Sequence, residues 1–232
     1  MPKKEKIQQM FDDIAPSYDQ LNHLMSLGVD KIWRRKALKY IVDGTQQNIL
    51  DVACGTGDST IAIAKAAALG SRVTGIDISK GMMEPLMRKA AREGVHDRIK
   101  LQVADALEMP FKEGSFDRVT CAFGVRNFED KQKGLEEFLR VLRPGGKTVI
   151  LELSVPQKRF VRAVYDLYFM HILPLVGGII SGNRAAYRYL PASVHAFPAP
   201  QAFCDIMESA GFRKVYSRSL TFGLCRLFVG EK

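Results

Sequence analysis

The residues with the most chemical content lie close together in the first half of the chain. Asp51-Val-Ala-Cys-Gly55-Thr56-Gly57-Asp58 places two acids around two glycines. Glycine accepts positive φ and carries no Cβ, so such a turn bends tightly and lets a ligand approach the main chain. A lone Gly-x-Gly is weak evidence. The dinucleotide fingerprint needs a third small residue three positions on, and this chain has Thr60 there. The acids also disfavour a pyrophosphate, which gains from positive potential. A ligand with an amino group, a sulfonium and no phosphate suits Asp51 and Asp58 better, and S-adenosylmethionine is such a ligand. Asp77 lies 20 residues past Gly57, where it could accept from both ribose hydroxyls. Asp105 could accept from the adenine amino group, with the backbone of Ala106 beside it. Taken singly, each acid is equally readable as a helix cap or a solvated charge. Three of them closing successive strands favour one ligand edge.

The elements that must position these groups alternate regularly. Apolar runs of strand length occupy 48–53, 72–77, 99–104, 117–123 and 148–153, and helical stretches occupy 59–69, 79–93 and 130–142. Such alternation predicts right-handed crossovers and an α/β, Rossmann-like, mostly parallel sheet with helices on both faces. A helix over 200–210 stops at Gly211, and two runs near Val215 and Leu224–Val229 suit a hairpin at the sheet edge. Before the sheet, Ile7, Met10, Phe11 and Ile14 recur at helical spacing, giving residues 1–44 the character of a helical cap. Residues 156–195 break the alternation and read as a lid insertion, because so long an excursion in a compact domain is usually functional or disordered.

The 232 residues, 47% of them hydrophobic, suffice for one domain with one sizeable core. Cys54, Cys121, Cys204 and Cys225 have no metal spacing and read as buried free thiols. His23, His171 and His195 likewise lack it and read as structural or lid histidines. The opening MPKKEKIQQMFDDI has no apolar signal core, so a reducing, cytoplasmic setting is expected. The net charge of +9 is uneven: residues 155–232 carry 10 basic and 4 acidic side chains, whereas residues 45–154 carry 16 and 15. A basic flank fits nucleic acid, an anionic membrane surface or plain solvation, so charge alone decides nothing.

Two longer motifs narrow the reading. Tyr18-Asp19-Gln-Leu21-Asn22-His23-Leu-Met-Ser26, followed by Trp33, and Arg140-Val-Leu-Arg143-Pro144-Gly145-Gly146, followed by Glu152-Leu-Ser154, resemble the two signatures of the quinone-biosynthesis C-methyltransferase family. The similarity continues through 110–128, 188–198 and 210–223. The chain departs from the family's usual residues at Leu21, Asp30, Thr148 and Phe228. The resemblance implies a class I S-adenosylmethionine-dependent methyltransferase with a seven-stranded sheet. Its cofactor contacts fall on Thr56, Asp77, Asp105 and Ala106, with Gly55 and Gly57 shaping the turn.

It also implies an activity: C-methylation of demethylmenaquinol, or alternatively of a polyprenyl benzoquinol, by displacement at the sulfonium methyl. Arg126, in the Gly-Val-Arg-Asn-Phe turn, becomes the candidate for polarising the quinol oxygen, against a structural reading as a carboxylate partner. Tyr18 and Asn22 become candidates for contact with the methionine moiety or the ring, although Tyr18 would serve equally in packing. A channel for the prenyl tail would be lined by Tyr165, Tyr168, Phe169, Ile172, Leu173, Leu175 and Val176. Arg159, Arg162, Arg184 and Arg188 would then face anionic headgroups on the inner face of the cell membrane. Two other classes compete. An RNA methyltransferase would explain the basic flank, but no RNA-binding module, amine-methylation motif or catalytic cysteine pair is present, so no nucleic-acid partner is expected. A non-catalytic binding protein would tolerate loss of the strand-end acids, and all are retained.

Overall fold

A computed structural model describes residues 4–15, 18–19, 26, 28–168 and 184–232. Seven strands form one sheet: β1 (Asn48–Val52), β2 (Arg72–Asp77), β3 (Ile99–Val103), β4 (Phe116–Ala122), β5 (Leu142–Leu153), β6 (Arg213–Leu220) and β7 (Cys225–Glu231). Their spatial order is β3-β2-β1-β4-β5-β7-β6. The first five run parallel, and β7 enters antiparallel between β5 and β6. The expected edge hairpin is therefore present, with β6 outermost.

Alternation along the strands explains why both faces need helices. Ile49 packs into one core and Leu50 into the other; Val149 and Leu151 face one side while Ile150 faces the opposite side. The first face is covered by α2 (Val29–Ile41), α3 (Asp58–Ala66) and α4 (Lys80–Arg92), through Trp33, Ile61, Met83 and Leu86. The second is covered by α5 (Lys131–Val141) and α8 (Pro200–Ser209), through Leu135, Phe138, Phe203 and Met207. Outside these layers lie α1 (Lys4–Ile14), α6 (Arg159–Leu167) and α7 (Arg184–Ala196).

Local chemistry sets several boundaries. Ser79 caps α4 by accepting from Met82 N at 3.0 Å, and Asp130 caps α5 by accepting from Lys133 N at 2.9 Å. The first crossover helix stops three residues earlier than its pattern suggests, because Ala67 turns extended. Strand β5 starts six residues earlier than expected. Leu142 pairs with Phe116, and Gly146 O accepts from Lys232 N at 3.0 Å, so the Arg-Pro-Gly-Gly segment is held between two neighbours.

All four cysteines are buried and free, as expected. Phe228, one of the departures from the family pattern, is buried against Phe203 with ring centroids 4.7 Å apart. Thr148, another, is buried and donates to Val119 O. Part of the basic flank is structural: on edge strand β6, Lys214 pairs with Glu231 at 2.7 Å and Arg218 sits over Tyr40 and Tyr216. Charge on an edge strand also discourages pairing with another chain. No helix among the described residues is long and apolar enough to cross a membrane.

Candidate active site

Strand order reverses between β1 and β4, and in open α/β sheets the crevice beyond the carboxyl ends of such strands takes the ligand. A cleft of about 830 Å³, open at its mouth, lies there. Its floor is made by strand ends: Val52, Ala53 and Gly55 after β1, Asp77 and Ile78 after β2, Ala104 to Leu107 after β3. Phe123, Gly124, Asn127, Phe128 and Glu129 follow β4, and Met82 of α4 reaches in from the side. Ile7 and Phe11 of α1, with Tyr18, form the wall contributed by the cap.

The turns beneath this floor are tightly constrained. Ala53 and Phe123, the residues that leave β1 and β4, both have positive φ (55° and 64°). Such strain in non-glycine residues clusters at functional sites. A Cβ on Gly124 would lie 2.5 Å from that of Ala53, so the two strand ends approach as closely as a glycine permits. Gly57, at φ +90°, opens α3, and a Cβ there would lie 2.1 Å from Leu86 Cγ. The second glycine of the turn therefore serves helix packing, whereas Gly55 faces the cleft.

The strand-end acids divide into two groups. Asp77 accepts from Gly55 N through Oδ2 and from Ser79 N through Oδ1, both at 2.9 Å. Burial raises its pKa, opposed by these backbone bonds. Asp105 accepts from Leu107 N at 2.9 Å, and Asp105 and Ala106 line the cleft side by side. Asp51 and Asp58 do not line it. Asp51 is buried behind the turn, where Thr60 Oγ1 donates to it at 2.6 Å and burial pushes its pKa up to about 7. Asp58 pairs with Lys89 Nζ at 2.6 Å. The expectation that these two face a ligand's amino group is therefore corrected: both are occupied elsewhere. Thr56 is buried too, and its hydroxyl donates to Asp19.

Those last contacts reveal residues that sequence reasoning missed. Lys89 bridges Asp58 and Asp19, the latter at 2.7 Å, and so ties the cap segment to α3 and α4. Asp12 of α1 accepts from Gly81 N at 3.2 Å and from the Ser79 hydroxyl, so it sits at the N-terminus of α4. The apolar face of α1 is visible in its spacing. Nothing in the spacing identifies its target.

Arg126 occupies a short turn at residues 125–127 and is buried. Nη1 contacts Glu152 Oε1 at 2.8 Å and Phe123 O, while its main-chain N–H donates to Glu152 Oε2 at 3.0 Å. Burial works against the guanidinium charge, but Glu152, Tyr18 and Tyr189 outweigh it and raise the pKa. Nε is buried and has no hydrogen-bond partner among the described residues. Next to it, Asn127 Oδ1 accepts from the Tyr189 hydroxyl of α7 at 3.0 Å. Tyr18 packs edge-on against Phe11, with centroids 6.2 Å apart, in a small cluster with Met10, Ile14, Tyr168 and Leu190. Tyr165 is buried and lies beside His195, which contacts Asp166 at 3.3 Å. Asn22, Leu21, His23, His171, Phe169, Ile172, Leu173, Leu175 and Val176 lie outside the described residues, as do the side chains of Arg184 and Arg188.

A seven-stranded sheet of this order, with a cleft at its switch point, is the class I fold of S-adenosylmethionine-dependent methyltransferases. A sequence profile of the ubiE/COQ5 methyltransferase family matches residues 1–232, and the chain belongs to that family. It is 47% identical over 223 residues to a demethylmenaquinone methyltransferase of Thermus thermophilus, covering 96% of this chain and all of the relative. It is 45% identical over 230 residues to a ubiquinone/menaquinone biosynthesis C-methyltransferase of Geobacter sulfurreducens, covering 99% and 90%. Among solved structures, the fold resembles phosphoethanolamine N-methyltransferase 2 of Haemonchus contortus in complex with S-adenosyl-L-methionine. The TM-score is 0.62 at 19% identity, covering 86% of this chain and 52% of that one.

Proposed function

We propose that the protein C-methylates demethylmenaquinol to menaquinol. The observation that carries this reading is a single cleft with an acidic strand-end half and an aromatic half, in a chain matched over its whole length by a quinone-methyltransferase family. The acidic half fits the cofactor. Asp77 accepts backbone N–H groups of Gly55, Ser79 and Ile78, and a carboxylate has about four acceptor sites, so capacity remains for a ribose hydroxyl. Asp105 and Ala106 would take the adenine edge, with Gly55 under the chain between them. When bound, S-adenosylmethionine supplies an electrophilic methyl group on sulfur.

The aromatic half suits a flat ring: Phe11 and Tyr18 from the cap, Phe123 and Phe128 from the β4 turn. Arg126 would stabilise negative charge on the quinol oxygen, directly or through water, and Glu152 holds the guanidinium in place for this. Its Nε, buried and without a hydrogen-bond partner among the described residues, is the donor that supports this role, since a buried polar group without a partner calls for a ligand or water. Residues 1–44 would act as a cap and 156–195 as a lid within one domain, excluding water when both partners are in place. The prenyl tail of the quinol would bring the protein into peripheral contact with a membrane.

The test is transfer of label from methyl-tritiated cofactor to a reduced demethylmenaquinone analogue, with a benzoquinol analogue run beside it. Label on the naphthoquinol carbon is expected. Label on the benzoquinol alone would move the assignment to the alternative substrate, and label on neither would end it. Asp77→Ala is expected to weaken cofactor binding by about 10- to 100-fold, the scale of charged hydrogen bonds lost. Unchanged affinity by calorimetry would remove Asp77 from the site.

A further inference from the structure

One surface of the molecule leaves large apolar side chains in water. On α6, Phe160, Val164 and Leu167 are 81%, 54% and 60% exposed, and their spacing puts them on one helical face. Tyr165, on the other side of the helix, is buried and fixes which face points outward. Lys158 and Arg159 are exposed at the start of the helix next to Phe160; Arg162 is exposed on the opposite side from the stripe and pairs with Asp166 at 3.6 Å.

A second apolar projection leaves the same edge of the sheet. Leu153, the last residue of β5, pairs with Cys225, so the turn over 221–223 lies at the carboxyl edge, where the cleft opens. Phe222 in that turn is 74% exposed and has φ +56°. A bulky residue held in the left-handed region is strained, and the turn is pinned on both sides. Trp33 Nε1 donates to Thr221 Oγ1 at 2.8 Å, and Ser154 Oγ donates to Gly223 O at 2.6 Å. The pinning keeps an aromatic ring in solvent where the chain could otherwise relax.

We propose that the Phe160–Val164–Leu167 stripe, the Phe222 turn and the neighbouring Lys158 and Arg159 form one face that docks on an anionic lipid bilayer. A basic, amphipathic helix beside a projecting aromatic is the composition that binds such interfaces: apolar groups enter the acyl boundary and cations meet the headgroups. A second copy of the chain would present the same basic residues to one another, so the charge argues against self-association. The inference rests on the quinol reading, because docking at the carboxyl edge presents the cleft mouth to the layer that holds a prenylated substrate.

The full chain is tested by sedimentation with phosphatidylcholine vesicles, with and without phosphatidylglycerol. Two variant pairs are compared: Phe160→Ser with Phe222→Ser, and Lys158→Glu with Arg159→Glu. These side chains are exposed, so folding should persist, and circular dichroism checks it. Binding to the anionic vesicles is expected for the parent, with a loss of about tenfold or more in each pair. Turnover of a vesicle-embedded long-tailed quinol should fall further in each pair than turnover of a short-tailed, water-soluble quinol. The proposal is overturned by parent protein that ignores anionic vesicles, by variants that bind like the parent, or by light scattering showing a dimer that the variants dissolve. Failure of the parent to methylate the soluble quinol would sink the substrate reading alone, since vesicle binding is measured without turnover.

Discussion

The floor of the cleft and its cap are held by different physics. The floor is built from strand ends whose main chains continue the sheet: Cys54 N donates to Ile76 O and Ala104 N to Asp77 O. Even the carboxylate of Asp77 is fixed by backbone N–H groups. The cap over α4 is tied through side chains, Asp12 to Ser79 and Gly81, and Asp19 to Lys89 and Thr56. Backbone networks in a sheet give way only with the sheet. Side-chain tethers can open one at a time, so the contrast separates a rigid half that would hold the cofactor from a releasable half that would admit the substrate.

The contrast breaks most sharply at Gly57. Gly57→Ala adds left-handed strain to a collision with Leu86, together costing up to roughly 6 kcal/mol. That is a large part of a typical domain's stability, so urea unfolding should show a greatly lowered midpoint or no folded protein. A mild effect would mean that the turn is softer than its geometry. Arg126→Ala comes next. Removing the guanidinium leaves Glu152 charged and buried, a loss of about 3–5 kcal/mol. Arg126→Lys separates the roles: it should recover much of the stability while turnover on quinol stays low.

Asp51 gives a pH-dependent test of the floor. Its pKa is about 7 in the folded chain against an ordinary 3.8, so the folded state holds this proton more tightly. Its contribution to stability is therefore greatest below pH 4, falls as pH rises through the window up to about 7, and is lowest above it. The span corresponds to roughly 4 kcal/mol at most. Asp51→Asn should flatten that decline in urea titrations at pH 5 and pH 8; an unchanged slope would show that Asp51 does not cause it. Lys89→Ala, the mildest, should cost about 1 kcal/mol or less of global stability because the pair is partly solvated. Hydrogen exchange should nonetheless speed up in α1 while β1 and β4 keep their protection. Equal acceleration in both would erase the distinction between floor and cap.

The same division governs what could be read from the sequence. Strands β1 to β4 are legible to within a residue because apolar runs closed by Gly, Asp or Ala have one cheap arrangement. Asp77, Asp105 and Gly55 follow from where those runs stop. Asp51 and Asp58 share the same motif, yet neither lines the cleft: Asp51 sits inside β1 and accepts from Thr60, and Asp58 opens α3 and pairs with Lys89, partners that spacing does not reveal. The tethers were out of reach for another reason. Lys89 is one basic residue on an amphipathic helix, and Asp12 and Asp19 are two acids among many; only packing puts all three above the glycine turn.

The sequence by itself determined the alternation of strands and helices, the edge at which the cleft opens, and the family to which the chain belongs. Those are properties of periodicity and local turn chemistry, which each segment carries on its own. Tertiary structure alone decided that Gly57 serves Leu86, that Arg126 is locked to Glu152, and that the apolar stripe of α6 is left in water. Each depends on contacts between residues far apart in the chain, and no local pattern encodes which partner arrives.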